Sequence, residues 1–350
     1  MSNCIQIHGT PVGPENPLFI IGEVGLAHDG SLGAAHAYVD RLAKVGVDAV
    51  KFQTHIAEAE SSRFEDFRVN VFPQDKTRPD YWRRTAFSKP EWLELANHAR
   101  DADLIFMSSP FSHEAVDLLM ECGTPAWKVA SGEVTNLPLL KHMADTGLPI
   151  LVSSGMSTWN ELNNTIDYLG QLNAEYGIFQ CTTSYPCPPE KWGLNIITEM
   201  LKKFNCPVGL SDHSGTIFPS LAAKQLGASM IECHVVFDRE QFGPDSKASL
   251  TFDDFSLLVD GIRALEIAET SPINKDDFAK AASSNRKLFS KSLYAAQDLS
   301  AGTSLSANHI QILKPLIGIP ASQYVEILGK TLKLDISKGE PISLDAIDEA

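Results

Sequence analysis

Positive charge is scarce in this chain: 29 Lys and Arg stand against 44 Asp and Glu, a formal charge of −15. Nucleic acid and anionic membrane surfaces need a basic face, so neither is expected as a partner. An anionic small molecule would have to be collected by particular local cations against the overall field. Cysteine is sparse too. The six lie at 4, 122, 181, 187, 206 and 233 without a C-x-x-C pair, a spacing that suits neither a zinc site nor a secreted disulfide framework. Free, mostly buried thiols in a reducing cytoplasm are expected instead. No apolar run approaches a membrane span, and the opening MSNCIQIHGTPVGPENP lacks a charged-then-apolar leader, so a cytoplasmic location is expected. G-x-G-x-x-G is missing after the first apolar run, which removes support for an open dinucleotide-binding sheet.

What is present is a repeat. Eight short apolar runs occur at 18–25, 48–53, 104–110, 126–131, 149–154, 177–183, 207–213 and 230–236. Each has strand length and is rich in Val, Ile, Leu or Phe, as parallel strands buried on both faces require. Between most of them lie stretches such as LGAAHAYVDRLAKVG, HEAVDLLMECG and IFPSLAAKQLG, with helical spacing and a closing Gly. Eight strand–helix units in about 250 residues predict an α/β fold of the (β/α)8, or TIM-barrel, type. The insertion at 56–88 is long enough to cap the barrel. Around 271–287 the pattern turns polar, and the last sixty residues alternate in short strands broken by Gly, Pro and Asn. There D-L-S-A-G and D-I-S-K-G-E read as two copies of one turn. The expected organisation is a barrel over 1–272, a linker at 273–287 and a small β-rich domain over 288–350.

Catalytic groups of such barrels gather at the carboxyl ends of the strands. Here those ends carry Glu23; Lys51 and Gln53; Ser108 and Ser109; Lys128, Ser131 and Glu133; Ser153 and Ser154; Thr182, Thr183 and Tyr185; Ser211, Asp212 and His213; Glu232 and His234. A barrel built only for stability would place Val, Leu and Ile there. His213 and His234 end consecutive strands, which run about 4.8 Å apart. They are either two satisfied polar residues or a two-imidazole site for an exchangeable Mn²⁺ or Mg²⁺. Lys51 and Lys128 sit inside apolar runs, where a charge needs compensation. Either is a Schiff-base candidate, or both are point charges for an anion. The neighbouring hydroxyls of Ser109, Ser131, Ser153, Thr183 and Ser211 favour the anion. Glu23 and Asp245, the latter in FGPDSKASL, are general acid or base candidates or plain structural carboxylates. Tyr185 in CTTSYPCPP reads as part of an extended, pocket-lining loop.

At these residues the chain resembles the N-acetylneuraminate (sialic acid) synthase family, with its pseudaminic, legionaminic and spore coat polysaccharide relatives. The stretches are IGEVGLAHDGSLGAA, GVDAVKFQTH, FMSSPFS, KVASGEVTNLPLL, LVSSGMST, CTTSYP, VGLSDHSG, IECHVVFDRE and GPDSKASL, in family order. The tail resembles the antifreeze-like (SAF) domain that follows the barrel in these enzymes. The resemblance implies a transferase that condenses phosphoenolpyruvate (PEP) with an amino sugar such as N-acetylmannosamine. It implies manganese, with magnesium or cobalt as alternatives, on His213 and His234. It puts PEP against Lys51, Ser109, Lys128, Ser131, Ser153, Thr183 and Ser211, the sugar near Gln53, Glu133, Tyr185 and Lys314, and proton transfer on Glu23 and Asp245. It also implies a domain-swapped homodimer whose SAF domain closes the partner's barrel with a basic residue. In ILKPLIGIP that residue is Lys314 where Arg is usual, and Ala27, Thr183 and Cys233 also depart from the common pattern. The competing expectations are a class I aldolase and a non-catalytic sugar-binding relative.

Overall fold

In the computed structural model, which describes residues 3–69 and 74–348, eight parallel strands close on themselves. They are β3 (Phe19–Gly25), β4 (Ala49–Thr54), β5 (Ile105–Pro110), β6 (Trp127–Val129), β7 (Ile150–Ser153), β8 (Tyr176–Cys181), β9 (Val208–Asp212) and β10 (Met230–Val236). Each pairs with the next, and β10 returns to pair with β3. The eight predicted runs coincide with these strands to within two residues at either end. A short strand, β11 (Leu250–Thr251), extends the edge beside β10.

Before the barrel comes a hairpin, β1 (Ile5–Ile7) and β2 (Thr10–Val12), that the eight-run pattern does not contain. Its Ile5, Ile7 and Val12 pack with Phe19, Ile21, Ala49, Met107, Leu151, Phe179 and Met230. These are the inward residues at the amino ends of the strands, so the hairpin plugs that mouth. Gly209 faces the same interior: a Cβ there would lie 2.7 Å from Phe179 Cε1 and 2.7 Å from the Met230 carbonyl oxygen.

Period two then does the rest. Two residues on from each apolar layer the same inward face turns polar: Phe19–Ile21–Glu23, Ala49–Lys51–Gln53, Met107–Ser109, Leu151–Ser153, Met230–Glu232–His234. Outward residues such as Val50, Phe52, Phe106, Val152, Leu210 and Ile231 pack under the helices. One end of the barrel interior is thus a sealed core and the other a chemical surface.

The insertion after β4 is ordered around Ala57, Tyr81 and Trp82, with Leu26, Phe67 and Val69 against them. Its helix Arg78–Thr85 starts on a Thr77–Asp80 capping box. Arg84 holds Asp75 at 2.9 Å and Asp29 at 2.8 Å, tying the insertion to the loop after β3.

In that loop His28 is buried, stacked on Phe87 with ring centroids 4.6 Å apart, and burial lowers its pKa to about 4. The unfolded side chain titrates near 6.5, so acid protonates the unfolded chain first. Stability is therefore full above pH 6.5, falls as the pH drops, and stops falling below about 4. At about 1.4 kcal/mol per pH unit, His28 should cost the fold about 3 kcal/mol across that window. Urea midpoints at pH 7 and pH 4 check this: the gap between wild type and His28→Phe should change by that amount, and a constant gap contradicts it.

A second compact unit runs from Ala268 to Ala350, the first from Met1 to Ile267. The segment read as a linker folds into helices at Lys275–Ala281 and Ser283–Phe289. Strands β12 (Ser292–Ala295) and β13 (Ile310–Leu313) pair antiparallel over a core that includes Leu293, Leu299, Leu305, Ile319, Ile336 and Ile342. The two D-(L/I)-S-x-G turns pair with each other. Leu299 and Ile336 exchange both backbone hydrogen bonds at 2.8 Å. Asp298 accepts from the Lys338 N–H at 2.8 Å, and Asp335 from the Ala301 N–H at 2.7 Å. Gly302 and Gly339 close the turns at the same φ of 83°, which only glycine adopts without strain. The repeat seen in the sequence is a local two-fold pairing.

Candidate active site

Two lysines and two glutamates, all buried, meet at the polar end of the barrel interior. Lys51 Nζ lies 2.7 Å from Glu23 Oε2 and 3.7 Å from Glu232 Oε2; Lys128 Nζ lies 3.2 Å from Glu232 Oε1. Each ammonium also donates to a hydroxyl, Lys51 to Ser109 at 3.2 Å and Lys128 to Ser153 at 2.5 Å. Ser211 donates to Glu232 at 3.1 Å. The strands dictate this: β4 and β6 each project a lysine inward, and β3 and β10 answer with a carboxylate at the same height.

The quartet is internally neutral and its members shift one another. Burial alone would raise the Glu232 carboxyl, but Lys128, then Lys51 and His234, outweigh it and hold the group at about 2. Glu23 shifts upward, chiefly through burial, with Lys51 pulling against it and Glu232 adding to it. Burial would discharge Lys51, yet Glu23 and Glu232 keep it above its ordinary value. Lys51 therefore remains a charged partner of the two carboxylates, and hydroxyls are ranged beside both lysines.

Across the cavity stand the imidazoles. His234 lies in β10; His213 follows β9, and extending the β9–β10 register by one residue sets the two opposite each other. Their ring centroids are 5.1 Å apart, and Tyr185 lies 4.1 Å from His213. Burial, then His234, pushes the His213 pKa well down, so it is a neutral imidazole. Its Nδ1 is 3.0 Å from Thr182 Oγ1, which also accepts from the His213 backbone N–H at 2.9 Å. A hydroxyl oxygen has two lone pairs and can accept from both. In the tautomer that carries its proton on Nδ1, Nε2 keeps its lone pair for a ligand.

Among the described residues no cluster of three or more His, Cys, Asp or Glu is arranged to hold a metal. Of the side chains here, His213 and His234 are the pair that could hold a divalent ion, and without a third clustered ligand such an ion would be exchangeable rather than tightly held zinc. If His213 holds a metal, Thr182→Val should weaken Mn²⁺ binding about 10- to 100-fold, the weight an outer-shell partner of a ligating histidine would carry. Free Mn²⁺ followed by electron paramagnetic resonance reads this directly.

Of the predicted site residues, Glu23, Lys51, Gln53, Ser109, Lys128, Ser131, Ser153, Thr183, Tyr185, Ser211, His213, His234 and Asp245 all line this one cavity. Gln53 donates to Glu23 at 3.2 Å, Ser131 to Cys181 at 3.6 Å, and Asp245 holds Arg68 at 2.5 Å. Glu133 is not in the wall: it ends a 3-10 turn, and its carboxylate accepts from Asn136 at 2.7 Å. Lys314 belongs to the second unit, where it is exposed with its ammonium 5.4 Å from the Phe289 ring centre.

The wall also contains residues outside the predicted set. Glu232 is the hub of the quartet, and its spacing of two from His234 already put it on the inward face. Thr182 and Cys181 carry the same strand-end signal. Arg68, Arg78, Tyr81 and Trp82 come from the insertion, and Arg68 stacks 4.2 Å over Tyr185. Arg68 lies in irregular chain, and Arg78, Tyr81 and Trp82 share one helix of eight residues, too short to mark a face by period.

A closed (β/α)8 barrel with buried lysine–hydroxyl pairs facing two imidazoles at the carboxyl ends of its strands is the frame of a TIM-barrel enzyme. The chain belongs to the NeuB family, whose model matches residues 38–274, and a SAF domain model matches 290–348. It is 33% identical over 329 residues to the N,N'-diacetyllegionaminic acid synthase of Campylobacter jejuni, covering 92% of this chain and 98% of that protein. It is 31% identical over 345 residues to the N-acetylneuraminate-9-phosphate synthase of Homo sapiens, covering 97% and 95%. Among solved structures, the N-acetylneuraminic acid synthetase of Leptospira borgpetersenii, in complex with citrate, superposes with a TM-score of 0.71 at 27% identity, covering 81% of this chain and 97% of that one. The spore coat polysaccharide biosynthesis protein spsE of Bacillus subtilis gives 0.65 at 28% identity, covering 99% of both.

Proposed function

We propose that this enzyme condenses phosphoenolpyruvate with an N-acylated hexosamine, giving a nonulosonic, sialic-acid-like acid and inorganic phosphate. The observation that carries the reading is the paired cations: Lys51 with Ser109 and Lys128 with Ser153, buried at one wall of the cavity. A planar anion with a carboxylate and a phosphate needs such a pair.

In this reading Lys51, Lys128 and the hydroxyls of Ser109, Ser131, Ser153, Thr183 and Ser211 hold PEP. Gln53, Tyr185 and Lys314 take the sugar; Glu133, outside the wall and engaged by Asn136, does not. His213 and His234 hold manganese, or magnesium or cobalt, which when bound supplies Lewis-acid polarisation of the sugar aldehyde. The enol carbon of PEP forms the new C–C bond to the aldehyde carbon, and water adds to the PEP carbon that bears phosphate. The resulting tetrahedral carbon expels phosphate with its bridging oxygen. Glu23 and Asp245 carry the proton transfers.

The second unit, in this reading, reaches the barrel of a second copy in a homodimer. Its exposed Leu288, Phe289, Ile312, Leu313 and Ile317 are the apolar surface such an exchange would cover. The charge of −15 and the reduced cysteines suit a cytoplasmic enzyme without nucleic-acid or membrane partners. No helix among the described residues is long and apolar enough to cross a membrane.

A Schiff-base aldolase would need a discharged lysine amine. Lys51 instead stands above its ordinary pKa between two carboxylates. Mass spectrometry of the product separates the readings. The synthase yields the sugar plus one pyruvate unit from PEP, and borohydride leaves no pyruvyl adduct on the protein. A borohydride-trapped lysine adduct with a keto substrate would overturn it.

A further inference from the structure

His55 follows β4 and is gripped between two rings. Trp82 of the insertion stacks on one face, with centroids 3.7 Å apart and planes 7° apart, and Phe111 covers the other at 4.1 Å and 15°. The ring plane is therefore fixed. Both of its edges are engaged as well: Nδ1 lies 2.6 Å from Glu60 Oε1, and Nε2 makes a long contact of 3.4 Å to Gln53 Oε1.

Gln53 uses its other end on the active site, donating from Nε2 to Glu23 Oε1 at 3.2 Å. Glu23, paired through Oε2 with Lys51, accepts there. The NH₂ end of Gln53 must then face Glu23, and its carbonyl must face His55. A carbonyl only accepts, so His55 Nε2 must carry a proton. Glu60 and Nδ1 share a further proton across their 2.6 Å contact, and Nε2 stays protonated whichever of them holds it. Beyond the clamp, Trp82 donates to Glu65 at 3.2 Å and carries Arg78 4.9 Å over its face.

We propose that His55 is a positioning residue: held by Glu60 and the Trp82–Phe111 clamp with Nε2 protonated, it locks the Gln53 amide so that its NH₂ faces Glu23 and the sugar. The chain Glu60–His55–Gln53–Glu23–Lys51 then links the insertion to the quartet, and Trp82 is a second contact between His55 and the insertion. Its effect on turnover rests on the PEP–sugar reading; the protonation of His55 does not.

Two variants and one spectrum test it. His55→Phe keeps a flat ring in the clamp and loses both hydrogen bonds; His55→Gln restores a donor near the Nε2 position. With His55→Phe, kcat should fall about 10- to 100-fold while KM for PEP stays unchanged, and His55→Gln should recover about tenfold of that loss. A role in stacking alone predicts the reverse order, with Phe better than Gln. In wild type, ¹⁵N spectra of the imidazoles should show His55 Nε2 protonated at pH 7.5. Wild-type turnover in His55→Phe, no recovery by Gln, or an unprotonated Nε2 each overturns the assignment. If wild type itself releases no phosphate with any sugar, the functional reading fails, and the spectrum still decides the state of His55. Should His55→Phe not fold, Glu60→Gln with the same spectrum takes its place: the Nε2 proton signal should persist, because the Gln53 carbonyl still faces it, and its loss contradicts the link.

Discussion

Lys128→Met is expected to abolish measurable PEP binding and to destabilise the barrel by about 3–5 kcal/mol, the range for breaking a buried ion pair by removing one partner. The stability loss arises because Glu232 is left in the interior with its nearest cation gone; Lys51, at 3.7 Å, is the more distant of its two lysines. Removing both partners should separate stability from function. In Lys128→Met/Glu232→Met the buried charge disappears with its partner, so most of the denaturation midpoint should return. PEP binding should not return, since the lysine that would meet the anion is still missing. Denaturant titration and calorimetric titration with PEP read the two effects. A double variant no more stable than the single one would mean that Lys128 contributes by packing rather than charge.

His213→Ala is expected to act on the opposite wall. Mn²⁺ binding should fall below detection, and turnover should drop on the order of 10³-fold, the rate equivalent of several kcal/mol of Lewis-acid stabilisation. PEP affinity should survive, because the lysine pairs are untouched. His234→Ala should behave in the same way, and the double variant should be no worse than either single, since two ligands to one ion act as a unit. EDTA should reproduce the effect on wild type, with recovery on adding Mn²⁺. An EDTA-treated enzyme that keeps full activity would remove the metal from the account.

The barrel was legible because buried parallel strands must be continuously apolar, and only their carboxyl ends depart from this. The period of two that puts Phe19 and Ile21 in the core also turns Glu23 inward, so strand and site are read from the same residues. The hairpin of Ile5, Ile7 and Val12 was not legible: three-residue strands are too short for a period, and their burial comes from the barrel mouth they plug. Glu232 had the right spacing but looked like one more polar residue until Lys51 and Lys128 were seen converging on it. Arg68 and Trp82 lie in the insertion, where position depends on tertiary contacts such as the Arg84–Asp75 pair. Glu133 shows the converse, a residue in the right place along the chain whose side chain is engaged by Asn136.

The most direct test of the central claim is phosphate release from PEP, with Mn²⁺ or with EDTA, across a panel of free N-acetylated hexosamines that includes N-acetylmannosamine and 2,4-diacetamido-trideoxy sugars. Release should require both the metal and one class of amino sugar, with phosphate and condensed acid formed one for one. Intact PEP with every sugar, from folded protein that binds neither PEP nor Mn²⁺, would contradict it.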